Sequence, residues 1–309
     1  MTRRHLFSLT VVVAGALVAL LAPMAAQVTT PAASPTLDRI SESGHLRLGY
    51  RVDLRPFSYR DDAGQPAGYS VELCQKIAVA IREDLRMPKL VVDWEAVSAR
   101  DRFEAVRQGS VDLLCGADTV TLERRQTVAF SIPIFPGGVG VLLRTDAPAR
   151  LKNVLAGRGQ PFHPTWRASA TELLQFKSFA AVNGSTADTW LHQRIKDLNV
   201  VTTIVPVPSY DAGADGVAAR TNDAFFGERA ILLGLAQRRP KDLLVVDRLF
   251  TYEPLALVMA QQDERLRLVV DRTLAHFYAY GQMSGFYTRF FGEPGENVLA
   301  FFRWNTIPD

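Results

Sequence analysis

From residue 46 onward the chain alternates short apolar runs with stretches of helical period, and that rhythm restricts it to an α/β architecture. Residues 46–50 read as a strand. Phe57, Ser58 and Tyr59 lead into a hairpin-like turn over 61–69, where Asp61, Asp62, Gly64 and Gly68 supply the turn conformations. Ser70 is then the expected N-cap of a helix over 71–85, with Leu73, Ile77, Ala80 and Ile81 on one face. A second unit repeats the plan: strand 90–94, helix 102–108, a stop at Gly109, strand 111–114. Strands are also expected at 139–143, 179–182 and 223–226, the last two leading into helices over 187–195 and 230–237. Residues 263–280 and 285–291 read as helices rich in Phe and Tyr. Residues 156–177, with Gly157, Gly159, Pro161 and Pro164, are longer than a turn requires and read as an insertion.

The N-terminus has a different character. Arg3, Arg4 and His5 precede an apolar stretch over 6–21, then Pro23, Ala25, Ala26 and Gln27, which is the pattern of a secretory signal peptide over 1–26. A Pro/Ala/Thr-rich tether over 27–36 follows. Loss of Arg3 and Arg4 with the leader takes the formal charge from +3 to +1, so the basic balance carries no message about nucleic acid. Export to an oxidising compartment permits a disulfide between Cys74 and Cys115, while two buried thiols are the alternative.

Signatures of catalysis are absent: there is no Gly-x-Ser-x-Gly, no His-Glu-x-x-His and no phosphate loop. His45, His163, His192 and His276 lack ligand spacing, so neither a metal nor a cofactor is expected. What the sequence offers is arginines and hydroxyls where strands end and helices begin. Arg51 follows the first strand, Arg102 opens a helix, Thr119 and Arg124 lie beyond the strand 111–114, and an open α/β sheet collects ligands at such carboxyl ends. Three guanidinium groups meeting there would suit a ligand with more than one carboxylate. Gly184, Ser185 and Thr186 precede a helix whose free N–H groups favour an anion, and Glu228 follows a strand where a carboxylate would accept an ammonium. Taken singly, each is equally a surface ion pair or an ordinary cap.

The ordered series resembles the periplasmic solute-binding proteins of family 3, and within them the glutamate/aspartate-binding proteins. The residues that carry the resemblance are Gly49-Tyr50-Arg51, Pro56-Phe57-Ser58-Tyr59, Gly68-Tyr69-Ser70, 102–109, Cys115-Gly116, Glu123-Arg124 with Ala129-Phe130-Ser131, Gly184-Ser185-Thr186 and Asp223-Ala224. The resemblance implies a type II periplasmic-binding-protein-like fold: two α/β lobes, joined by two crossing hinge segments, that close on the ligand. Lobe 1 would comprise 37–136 and 255–309, and lobe 2 would comprise 137–254. By the same resemblance Arg124, aided by Thr119, would grip the α-carboxylate, and Glu228 would receive the α-ammonium. Arg51 and Arg102 would hold a side-chain carboxylate, Ser185 and Thr186 would add contacts from lobe 2, and Phe57 or Tyr59 would line the apolar wall. Ala117 and Ala99 stand where the family has hydroxyl residues, Tyr210 where it has a His on the side-chain carboxylate, and Asp118 brings a negative charge to the anion site.

The implied function is non-enzymatic. A monomeric periplasmic receptor would capture an amino acid, expected to be acidic, and deliver it to the permease subunits of an ABC importer. The alternative from another class is a periplasmic lyase of cyclohexadienyl dehydratase type on the same scaffold, with Glu228 or Asp118 as general acid.

Overall fold

The computed structural model describes residues 35–158 and 172–308. The expected signal peptide and most of the tether therefore lie outside the described residues, as does the middle of the expected insertion. Pro35–Ser43 is a helix seated by Leu37 and Ile40, both fully buried.

Two sheets organise the chain. In the first, His45–Tyr50 lies between Val91–Ala96 and Leu113–Thr119, parallel to both, and Glu253–Met259 continues the sheet antiparallel to Leu113–Thr119. In the second, Ser178–Val182 lies between Thr203–Val207 and Ala224–Glu228, again in parallel, and Val139–Arg144 and Leu243–Val245 complete it antiparallel. Helices connect the parallel strands in sequence and pack against the sheets, as the alternation requires. A continuous apolar core runs from Leu48 and Phe135 near the first sheet to Phe225 and Ile231 near the second.

The chain passes between the sheets twice, and the two passages are bonded to each other. Phe135–Gly137 pairs antiparallel with Glu253–Met259, matching Gly137 to Glu253 and Phe135 to Leu255. Just beyond, the Val139 N–H donates to Thr251 Oγ1 at 2.9 Å, and the Phe250 N–H donates to the Val139 carbonyl at 2.8 Å. Gly138 is required where they cross, because a Cβ there would stand 2.1 Å from the Thr251 carbonyl oxygen.

Two local expectations are corrected. The helix expected to start at Ser70 is Tyr69–Asp84, and its first N–H groups, Tyr69 and Ser70, donate to the carbonyls of Pro56 and Phe57 at 2.9 and 2.8 Å. No side-chain cap is needed, and the turn into the helix is made by Gly68 at φ +120°, where a Cβ would meet the Phe57 carbonyl oxygen at 2.5 Å. The strand expected over 111–114 is Leu113–Thr119; pairing of Thr119 with Leu255 extends it, so Thr119 ends a strand instead of sitting in a loop. Of the two alternatives for Cys74 and Cys115, the structure has the disulfide, with Cα atoms 6.1 Å apart, linking the helix Tyr69–Asp84 to the central strand Leu113–Thr119.

Candidate functional site

The carboxyl ends of the parallel strands of both sheets face one cleft. Arg51 follows His45–Tyr50, Thr119 ends Leu113–Thr119, Ser185 and Thr186 follow Ser178–Val182, Tyr210 follows Thr203–Val207, and Glu228 ends Ala224–Glu228. Arg102, Asp118 and Arg124 join them, so nine of the eleven expected site residues line the same space. That convergence follows from parallel strands, whose carboxyl ends all lie on one side.

The other two are elsewhere. Phe57 is fully buried in an aromatic cluster, its ring centroid 4.9 Å from Phe135 and 5.2 Å from Phe291, because a phenyl ring gains more from the apolar core than from a polar cleft. Tyr59 packs under the Arg55 guanidinium at 3.6 Å and lines a separate groove with Tyr287 and Phe291. The apolar part of the cleft is built instead by Leu54, Val139, Val182 and Ile231.

The three arginines are not equivalent. Arg51 Nη2 donates to both oxygens of Asp53, at 2.7 and 3.0 Å. Arg102 Nε donates to Asp118 Oδ1 at 2.6 Å, its Nη1 donates to the Ala99 carbonyl, and its guanidinium lies over the Phe103 ring. Arg124, which follows Glu123 in a short 3-10 turn, has no carboxylate within ion-pair distance among the described residues. Its Nη1 donates to the Thr119 carbonyl at 2.9 Å and its Nη2 to the Gly184 carbonyl at 3.5 Å. Burial holds the Arg124 guanidinium below its ordinary pKa, with Arg102 acting in the same direction and Asp118 opposing. Arg124 is thus a desolvated cation neutralised only in part.

Two acidic side chains, Glu228 and Glu253, also line the cleft. Glu228 accepts from the Gly138 N–H at 2.8 Å and the Ala230 N–H at 3.2 Å, the second bond capping the helix Arg229–Arg238. Burial raises its pKa to about 8, against the pull of those two N–H groups and with a further upward push from Glu253. The Tyr210 hydroxyl accepts from the Glu228 N–H at 3.0 Å, so it braces Glu228 from behind; burial holds that phenol well above its usual pKa.

Glu253 is the site residue that sequence reasoning missed. Its Oε2 accepts from Thr119 Oγ1 at 3.0 Å and from Thr186 Oγ1 at 2.7 Å, and its Oε1 accepts from Thr251 Oγ1 at 2.7 Å. One carboxylate on a crossing segment thereby ties the hydroxyl that ends a strand of the first sheet to the hydroxyl that opens the helix Thr186–Leu198 beside the second. The only signal in the sequence was a Thr-x-Glu preceding an apolar run, which is common. Ser185, by contrast, uses its hydroxyl as N-cap of the helix Thr186–Leu198, accepting from the Asp188 N–H at 3.1 Å.

The match to known proteins agrees with this geometry. The family model of bacterial extracellular solute-binding proteins, family 3, matches residues 46–293. The L-glutamate/L-aspartate-binding protein of Pseudomonas aeruginosa is 27% identical over 274 residues, covering 88% of this chain and 84% of that protein. The glutamate/aspartate import solute-binding protein of Escherichia coli is 25% identical, covering 85% and 82%. Among solved structures, ArgBP from T. maritima, as its P235GK mutant, superposes with a TM-score of 0.68 at 20% identity, covering 84% of this chain and all of that one. The ancestral amino acid-binding protein AncCDT-1, a precursor of cyclohexadienyl dehydratase, superposes at 0.67 with 24% identity, covering 83% and 99%. With the two-lobed fold, the paired crossings and a charged cleft between the sheets already in place, the match over 46–293 establishes that this chain belongs to the bacterial extracellular solute-binding proteins of family 3.

Proposed function

We propose that this protein is the periplasmic, substrate-binding component of an ABC importer for amino acids. Arg124 takes the ligand α-carboxylate through its guanidinium fork, with Thr119 beside it, and Glu228 and Glu253 receive the α-ammonium. The observation that carries this reading is the unequal pairing of the cleft charges. Arg51 and Arg102 have carboxylate partners, whereas Arg124, which shares the cleft with Glu228 and Glu253, has none within ion-pair distance among the described residues. A desolvated cation in one cleft with two acidic groups is complementary to the head group of a zwitterion.

Closure follows from the same contacts. Taking lobe 1 as 37–136 with 255–309 and lobe 2 as 137–254, the Arg124 bond to the Gly184 carbonyl and the Thr119–Glu253–Thr186 bridge join the lobes. Ligand touching both sides would shift the hinge toward the closed state, since differential affinity alone moves such an equilibrium. Permease subunits would recognise the closed form. The expected leader and the family's extracellular character support a periplasmic location.

Relatives are named for glutamate and aspartate. An acidic side chain would have to compete with Asp53 and Asp118 for Arg51 and Arg102. The site therefore supports an amino-acid head group, and its acidic tail has no free cation to meet. The test is calorimetry with the common amino acids on the wild type and on Arg124→Ala. Binding by the first and none by a folded second is the expected result; an Arg124→Ala protein of wild-type affinity refutes the assignment.

One observation favours a lyase as second reading: Glu228 retains its proton to about pH 8 and so is equipped as a general acid. Incubation with prephenate or arogenate separates the two. An aromatic product would establish the lyase, and its absence would leave the receptor.

A further inference from the structure

We infer that Asp118 is a specificity-determining counter-ion that turns the Arg51–Arg102 end of the cleft from a carboxylate receptor into a site for an uncharged carboxamide side chain, as in glutamine or asparagine. The inference rests on the amino-acid-receptor reading and names the side-chain class within it. Asp118 is 4% exposed, Arg51 5% and Arg102 9%, so all three line the cleft in a desolvated setting where charge balance counts most. Asp118 Oδ1 holds Arg102 Nε at 2.6 Å, and Asp53 holds Arg51 with both oxygens. A ligand carboxylate entering here would meet two carboxylates already bound to the cations it needs. A cationic side chain would meet the two guanidinium groups.

Among the buried polar atoms of Arg51, Arg102 and Asp118, one acceptor and one donor lack a partner. Asp118 Oδ2 and Arg51 Nε are both buried without a hydrogen-bond partner, and both residues line the cleft. A buried polar atom left unpaired opposes folding, so a ligand that pairs it recovers that energy on binding. A carboxamide carries the complementary set: its NH2 donates to an acceptor such as Asp118 Oδ2, and its carbonyl oxygen accepts from a donor such as Arg51 Nε. A carboxylate offers no proton to Oδ2. An aliphatic side chain satisfies neither atom.

The test is isothermal calorimetry at pH 7 with L-glutamine, L-asparagine, L-glutamate, L-aspartate and L-arginine. For the wild type, the better amide should bind at least tenfold more tightly than either acidic amino acid and than arginine. Asp118→Asn keeps the shape and removes the charge, so it should improve glutamate relative to glutamine by tenfold or more. Wild-type affinity for glutamate or aspartate equal to or above that for the amides, or tightest binding of arginine, overturns the inference while leaving the receptor standing. An unchanged glutamate/glutamine ratio in a folded Asp118→Asn protein also overturns it. Should Asp118→Asn not fold, the wild-type ratios alone decide. Failure of every amino acid to bind removes the receptor reading and this one with it.

Discussion

Replacing Arg124 with Met removes the charge and keeps most of the apolar stem, and the pattern of charges in the cleft makes opposite demands on binding and on stability. Truncating one partner of a buried, hydrogen-bonded charge pair costs about 2–5 kcal/mol, which is roughly a 30-fold to several-thousand-fold loss of affinity. Stability should hardly move. The substitution loses hydrogen bonds to the Thr119 and Gly184 carbonyls, about 0.5–1.5 kcal/mol each at most, and the second is long. Against that loss stands the relief of a desolvated cation. Because burial lowers the guanidinium pKa, its charge opposes folding at every pH below the folded value, and therefore in full at pH 7; the cost disappears only above the ordinary arginine pKa. The two contributions oppose each other, and a net change within about 1 kcal/mol corresponds to a melting shift below about 4 °C. Calorimetry with the tightest-binding amino acid, beside thermal unfolding without ligand, measures both. Wild-type affinity would remove Arg124 from the site, and a melting point lowered by more than about 10 °C would make it a structural residue instead.

Other outcomes follow from the same contacts. Glu228 is raised from its ordinary 4.5 to about 8, so between those values the folded protein binds a proton that the unfolded chain has released. Stability of the ligand-free protein should fall as pH rises from 4.5 to 8 and then level off; Glu228→Gln should flatten that slope in thermal denaturation. If Glu228 ionises to receive the ammonium, ligand binding at pH 7 releases protons, visible as a dependence of calorimetric heat on the buffer's ionisation enthalpy. Gly138→Ala drives a methyl group to 2.1 Å from the Thr251 carbonyl oxygen where the crossings touch, and should destabilise by about 1–3 kcal/mol in chemical denaturation. Reducing the Cys74–Cys115 disulfide, which spans 41 residues of sequence, should cost about 4 kcal/mol by chain-entropy reasoning, measurable as a lower denaturation midpoint of Cys74→Ser.

Most of the secondary structure was legible because each element carries its own local signal. The helix over Arg102–Arg107 begins with the expected residue and gives way to Gly109 at φ +68°. The strands at His45–Tyr50 and Ser178–Val182 differ from expectation by one residue. Elements that depend on distant partners were not legible. Residues Gly116 to Thr119 become strand because Glu253–Met259 lies beside them, and Glu253–Met259 itself gives little sign of being both a strand and a hinge.

The sequence by itself determined the α/β alternation, the positions of Arg51 and Glu228 at strand ends and of Thr186 at a helix start, and through its ordered motifs the family. Only the tertiary structure decided what those charges are free to do. Arg102 meets Asp118 across 16 residues, Arg51 turns back on Asp53, and Glu253 arrives from a crossing segment to join Thr119 and Thr186. The physical reason is range. Helix period and turn chemistry act over a few neighbouring residues, whereas the net charge presented to a ligand depends on which side chains folding brings within hydrogen-bonding distance.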